Sequence, residues 1–323
     1  MRTLHHFSFA LAVVCVTALT VMPAQAQLTQ SSSSSSATDT PLWSIHLNLQ
    51  KSFASPLGQR LVEMVEDKNP EGYQKFIKLV EAIGLDPRTE VGEVAMFGDG
   101  FGERDATIIA QLGSSTGNLE GWIIAAPGYR SEELDANTML HSLLMEDEGT
   151  QRAWFALPKQ SSGNYMLIGS LDKNRTIELA QDVLGGASSI YNQPLTGDSI
   201  MSFAVNNFSE IPVKIDDTDP GSAIVKMIES VGFNVASNDS QLQLEMNIGT
   251  NNPAKAKQIS QLLTGLKAMV QLVEDPEVQK LASIIGGVEI SHTEGAAQVK
   301  AQLSAPYEML ERLVTQLEHS KRK

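Results

Sequence analysis

Cysteine is all but missing from these 323 residues, with Cys15 the only one. Positive charge is also short, with 24 Lys and Arg against 38 Asp and Glu, and only six histidines are present. Each shortage excludes something. A lone cysteine closes no disulfide within the chain and supplies no paired-thiolate zinc site. A net charge of −14 opposes nucleic acid or anionic lipid headgroups as partners through general electrostatics. It favours solubility, cationic partners, or calcium held by scattered carboxylates. No H-E-x-x-H helix motif occurs, so zinc has no visible ligand set and no cofactor is expected.

Long apolar runs are scarce too, and the clearest stands at the start. Arg2, His5 and His6 precede an apolar stretch from Phe7 to Val21, and Ala24-Gln25-Ala26 has the small-x-small form of a cleavage site. Residues 1–26 read as a signal peptide, which makes the chain an exported one, periplasmic or extracellular. An uncut anchor is the alternative, because the run is close to the shortest that spans a bilayer. Cleavage removes Cys15 and leaves no transmembrane segment. Residues 27–41, with an unbroken run from Ser31 to Ser36, read as a flexible linker that can bury nothing.

The remainder is long enough for two domains on hydrophobic cores alone. The polar stretch 187–198 divides them, giving an N-terminal α+β domain at 42–190 and a C-terminal α+β domain at 199–320. The clearest pattern lies in the second. Gln241-Leu-Gln-Leu-Glu-Met-Asn-Ile alternates strictly, placing Leu242, Leu244, Met246 and Ile248 on one face of a strand. Asn252-Pro253 starts a helix in which Ile259, Leu262, Leu263, Leu266, Met269, Val270 and Val273 form a stripe facing the sheet. Two strands follow around Thr293-Glu294-Gly295. A last helix is expected to carry Tyr307, Leu310, Leu313, Val314 and Leu317 inward.

The first domain repeats that grammar. Trp43 to Leu49 alternates, and Ser55-Pro56 and Asn69-Pro70 start helices. Val91–Gly98 and Ala106–Leu112 read as a hairpin, Trp122 to Ala126 as a buried strand, and Leu134 to Leu144 as a helix. A hairpin at Arg152–Leu157 and Tyr165–Gly169 precedes a helix from Asn174 to Leu184. The fold class is α+β: antiparallel sheets with helices packed on one face, in repeated ferredoxin-like strand-helix-strand-strand-helix units.

Motifs that carry chemistry are few. Gly113-Ser-Ser-Thr-Gly117 matches G-x-S-x-G, with Ser115 as the nucleophile of a serine hydrolase. That elbow needs a helix after the serine, and the residues after Gly117 read as a strand. Ser170-Leu-Asp-Lys173 matches S-x-x-K without its companion motifs, and a helix cap explains it. The glycines of Gly98-Asp-Gly-Phe-Gly102 precede a strand, so no helix terminus faces a phosphate. Asp99, Glu103 and Asp105, or Asp216, Asp217 and Asp219, lack EF-hand spacing, and the metal question stays open. The polar side of the second-domain sheet is the candidate interaction face: Gln241, Gln243, Glu245, Asn247, Gln298, Lys300 and Gln302.

Ile83-Gly-Leu-Asp-Pro87, with Ala54-Ser-Pro-Leu-Gly58 and the opening strand His46-Leu-Asn-Leu49, resembles a family of exported bacterial envelope proteins that carry a domain of unknown function. The likeness covers residues 43–112 best. It implies an envelope location and transfers no catalytic residue. The expectation is therefore a non-catalytic binding or scaffolding module for an unknown protein or envelope component. A carrier enclosing an apolar ligand between sheet and helices, or a hydrolase using Ser115, are the alternatives.

Overall fold

The computed structural model describes residues 40–126, 128–144, 151–186, 195, 197–211, 224–238, 240–272, 282 and 284–307. Residues 1–26 expected as a signal peptide, nearly all of the expected linker 27–41, most of the 187–198 stretch, the 216–219 acidic group and the helix expected beyond Tyr307 lie outside the described residues.

In the first half, β1 (Trp43–Asn48) leads into the helices α1 (Leu49–Ala54), α2 (Pro56–Lys68) and α3 (Pro70–Ile83). Strands β2 (Val91–Gly98) and β3 (Ala106–Leu112) precede α4 (Gly117–Ile124). Then come β4 (Arg130–Asp135), β5 (Thr138–Leu144), β6 (Arg152–Ala156), β7 (Tyr165–Ser170) and α5 (Lys173–Leu184). The second half holds β8 (Ser199–Val205), β9 (Ser230–Ser237), β10 (Gln241–Gly249), α6 (Pro253–Gln271), β11 (Glu289–His292) and β12 (Gln298–Pro306).

The helix starts follow the sequence signals. Ser55 and Asn69 cap α2 and α3 with side-chain oxygens that accept from Gly58 N and Gly72 N, each with proline in the first turn. Asn252 does the same for α6, accepting from Lys255 N at 2.9 Å. Gly84 ends α3 in the left-handed region, at φ 69°, where a side chain is disfavoured. Gly58 has a different task. A Cβ there would stand 1.8 Å from Ser52 O, so the S-P-L-G stretch is what lets α2 start tightly against α1.

All the strands join one antiparallel sheet, in the order β11-β12-β10-β9-β8-β1-β2-β3-β7-β6-β5-β4. Both halves of the chain contribute, and β1 is the seam, pairing with β2 on one side and β8 on the other. The antiparallel α+β class holds, but separate ferredoxin-like units do not emerge from the pairing. β8, β9 and β10 are consecutive neighbours, and β10 pairs with β12 rather than with β11.

Opposed residues of an antiparallel pair share a face, so the registers define the two sides of the sheet. One side carries Trp43, Ile45 and Leu47 of β1, Val94 and Met96 of β2, Phe203 of β8, Val235 of β9 and Leu244 of β10. These positions are all apolar. Leu49 of α1 and Leu119 and Ile123 of α4 pack against Val94, Ala110 and Leu167 there. Ala256 and Ile259 of α6 pack against Ile248 and Val299.

The expectation of helices on one face is corrected by α5. Its Leu179 and Ala180 lie on the opposite side, against Phe97, Ile109, Ala156 and Ile168. The reason is visible in the strands. Val94-Ala-Met-Phe97 and Met166-Leu-Ile168 are apolar at every residue, which requires a cover on both sides.

Two further elements differ from the sequence reading. Trp122 to Ala126 is not a buried strand; Trp122–Ile124 completes α4 and Ala125 is its C-cap, because Leu119 and Ile123 one turn apart supply an inward row. Leu134 to Leu144 is not a helix but the β4–β5 hairpin. Asp135 closes its turn by accepting from Asn137 N at 2.7 Å, an Asx turn that competes with helix formation.

Candidate functional site

The far side of the second-half sheet is polar and carries no helix among the described residues. β10 presents Gln241, Gln243, Glu245 and Asn247 to it, opposite Ser304, Gln302 and Lys300 of β12 from Gln243 onward. Gln298 lies on the same side, opposite Gly249. All seven residues expected for the interaction face therefore stand together. Their inward neighbours Leu242 and Ile248 are buried in the apolar layer, which fixes the register.

Glu245 organises the centre. Its Oε2 accepts from Lys300 Nζ at 2.8 Å and from Gln302 Nε2 at 2.9 Å, and Oε1 accepts from Asn247 Nδ2 at 2.9 Å. Partial burial works to raise its pKa, while the bonds from Lys300, Asn247 and Gln302 outweigh that and hold it below the usual glutamate value. The carboxylate is ionised and held in one orientation, as are the amides around it.

An open groove of about 360 Å³ runs beside this cluster. Asn234 of β9, Glu289 of β11 and Ser304 of β12 line it together with Gln243, Glu245 and Gln302. Asn234 and Glu289 were not on the sequence-derived face. The signal for Asn234 is the alternation Val231, Phe233, Val235 against Gly232, Asn234, Ala236, which places it opposite Glu245. Its polar lining groups are amides, a hydroxyl and two carboxylates, with Lys300 beside one of them, and Ala236, Leu244, Gly287 and Leu303 complete the lining. Such a surface offers donors and acceptors in quantity and no excess positive charge.

The motifs weighed for catalysis fare differently. Ser114–Thr116 forms a single turn of 3-10 helix between β3 and α4, so strand, turn and helix do follow in the order the nucleophile elbow needs. This corrects the expectation of a strand after Gly117. No non-glycine residue among those described has positive φ, so Ser115 lacks the strained backbone typical of that elbow. Ser170 Oγ donates to Ala106 O at 3.1 Å and accepts from Asp172 N at 3.1 Å. Lys173 pairs with Glu132 and stands over the Trp154 ring. Asp172 caps α5 through Asn174 N and Arg175 N, as the sequence suggested.

His141 is buried, with 1% of its surface exposed. Its Nδ1 meets Tyr129 OH at 3.0 Å, its ring stacks on Phe155, and Nε2 lies 3.7 Å from Glu120 Oε1. Burial pushes its pKa down, opposed by Glu120, so at neutral pH the ring is neutral and serves as packing with one satisfied nitrogen. His46 on β1 is lowered by burial too, with Glu93 opposing. In the β2–β3 loop Asp99 pairs with Arg175 at 3.1 Å, and Asp105 accepts from Gly102 N at 2.9 Å. No group of three or more His, Cys, Asp or Glu able to hold a metal occurs among the described residues. No helix among them is long and apolar enough to cross a membrane.

No family model and no curated protein matches the chain. Among solved structures it is similar to crystal form IV of TP0453, at TM-score 0.42 and 9% identity, over 86% of this chain and 93% of that one. Crystal form III gives TM-score 0.41 at 9% identity, over 87% of this chain and 100% of the other. The similarity is too low to speak for function.

Proposed function

We propose that this protein acts by binding rather than by chemistry, as an exported component of a bacterial envelope that docks a partner on the polar side of its second-half sheet. The observation that carries the reading is the Glu245 cluster. A carboxylate fixed by Lys300, Gln302 and Asn247, beside an open groove, is a preorganised hydrogen-bonding surface with little ordering left to do on association. Glu245 and Glu289 outnumber Lys300 locally, so the partner is neutral and polar or carries positive charge. The interaction residues are Gln241, Gln243, Glu245, Asn247, Gln298, Lys300 and Gln302, extended by Asn234 and Glu289.

The test is a photo-crosslinking amino acid placed at Gln243, at Gln302 and, as control, at Glu178 on the outside of α5, in cells fractionated for envelope. The reading predicts a discrete adduct from 243 and 302, lost when Glu245→Arg is added, and none from 178. Absence of adducts at 243 and 302, or the same adducts at all three sites, refutes it.

A further inference from the structure

One histidine sits where a charge is hard to hold. His141 stands on β5, the next-to-last strand of the sheet, with only β4 beyond it. Its ring is buried, and groups from neighbouring elements close on it. Phe155 of β6 stacks at 5.7 Å between ring centroids. Tyr129, just ahead of β4, brings its hydroxyl to Nδ1, and Glu120 of α4 stands off Nε2. The imidazole thus joins the edge hairpin β4–β5 to α4 and β6. Those two elements pack against Val94, Ala110 and Leu167 through Leu119, Ile123 and Phe155.

What faces the ring decides how it answers a proton. Among the described residues, the ionisable groups that meet it are Glu120 and Tyr129. On β4 its opposite residue is Ser131, and Glu133, exposed and one pair further along that face, stands opposite Met139. Arg130, Glu132 and Arg152 belong to the other face, opposite Ser142, Leu140 and Leu144. Glu120 Oε1 lies beyond hydrogen-bond distance from Nε2 and its side chain is 49% exposed, so water screens its pull. A proton makes both ring nitrogens donors. Tyr129 must then turn its hydroxyl to accept, and Phe155 offers no acceptor. Burial holds the pKa of the ring down, with Glu120 opposing. Below the ordinary histidine value, about 6.5, an opened hairpin binds the proton more readily than a closed one, so acid favours opening. The hairpin is placed to open by itself, because β4 has no outer neighbour and β5 is held on its inner side by β6 alone.

We propose that His141 is an acid-sensitive latch on the edge hairpin β4–β5. With the ring neutral, the hairpin is keyed to α4 and β6. With the ring charged, it detaches from Phe155 and from α4, while β2, β3 and β7 stay paired. The surface uncovered is the aromatic patch of Tyr129 and Phe155. The latch lies in the first half of the chain, away from the polar face of β10 and β12, and does not depend on what that face binds.

Hydrogen exchange of the full chain tests it, read by mass spectrometry about one pH unit above and about one unit below the ordinary histidine value. Rates are corrected for the intrinsic effect of pH on exchange. In the wild type, protection of β4 and β5 falls several-fold at the lower pH, and that of β2, β3 and β7 does not. The fall disappears in His141→Phe, which keeps an aromatic ring against Phe155 and cannot titrate. It persists in Glu120→Gln, so the carboxylate is not the sensor. His46 is present in every variant, and its own titration cancels from the comparison. An equal fall in His141→Phe overturns the proposal, as does a fall abolished by Glu120→Gln or one spread evenly over the sheet. A second measurement needs no variant. In an NMR titration of the wild type, the ring of His141 titrates below the ordinary histidine value and the amides of β4 and β5 shift with the same midpoint. A midpoint at or above that value overturns the latch, whatever the variants do.

Discussion

At the scale of single residues, the polar face owes its shape to Glu245. With its pKa held below the ordinary glutamate value, the ionised form is bound more tightly by the folded than by the unfolded chain. The sign follows from linkage. The contribution is fully present above the unfolded glutamate pKa, about 4.3, and is lost as pH falls through the folded value. Urea midpoints measured across that acidic range should therefore drop more steeply for the wild type than for Glu245→Gln. Equal slopes would mean that the Lys300, Gln302 and Asn247 bonds do not persist in solution. The residues of this face were legible because strict alternation leaves only two choices of side, and Leu242 and Ile248 settle which. The bonds to Glu245 were not, since they depend on the register between β10 and β12, which strand periodicity alone does not fix. Ser115 shows the same gap from the other side. Its motif was readable, while the backbone that decides the motif's meaning was not.

For the elements, the strands at Val91–Gly98, Tyr165–Ser170 and Gln241–Gly249 follow from the sequence pattern, while Trp122 to Ala126 and Leu134 to Leu144 do not. Gln241–Gly249 could face the core only one way. Trp122 to Ala126 is apolar at every position and suits a strand or a helix equally, so α4 emerged only from its contact with Val94 and Ala110. The α6 stripe is readable as apolar, but its six positions within the helix span more of it than one sheet contact covers, and Val273 lies outside the described residues. Which edge of the stripe meets the sheet is set by Val299 and Ile248, distant in sequence. This yields a paired prediction. Ile259→Ala removes a wholly buried side chain and should cost about 2–5 kcal/mol of stability. Leu266→Ala, at a site 49% exposed, should stay within about 0.5 kcal/mol of wild type. Urea titration of both variants checks it, and a loss at Leu266 matching that at Ile259 would show that the flank is covered in solution.

Across the whole molecule the question is how far the two sequence-defined domains behave as two. The segment 41–60 straddles them. β1 pairs on both sides, Asn206 Nδ2 donates to Pro41 O at 2.7 Å, and Lys51 Nζ donates to Gly197 O at 3.0 Å. Trp43 and Met96 share a cluster with Val205 and Phe203, while Leu57 of α2 packs against Val235 and Leu242 and Arg60 stands over the Tyr307 ring. A core and a hydrogen-bond ladder that cross the seam make opening of one half expose apolar surface on the other. Ile168, wholly buried among Phe97, Ile109 and Leu179, lies far from the second half. Ile168→Ala should cost about 2–5 kcal/mol, and the loss should be felt on both sides of β1. Hydrogen exchange read by mass spectrometry is the measurement, because it follows each half separately. Faster exchange in β9, β10 and β12 as well as in β2, β3 and β7 is the expected result. Acceleration confined to the first half would mean that the β1–β8 ladder joins two units that open independently, so that the boundary near 187–198 is one of stability as well as of sequence.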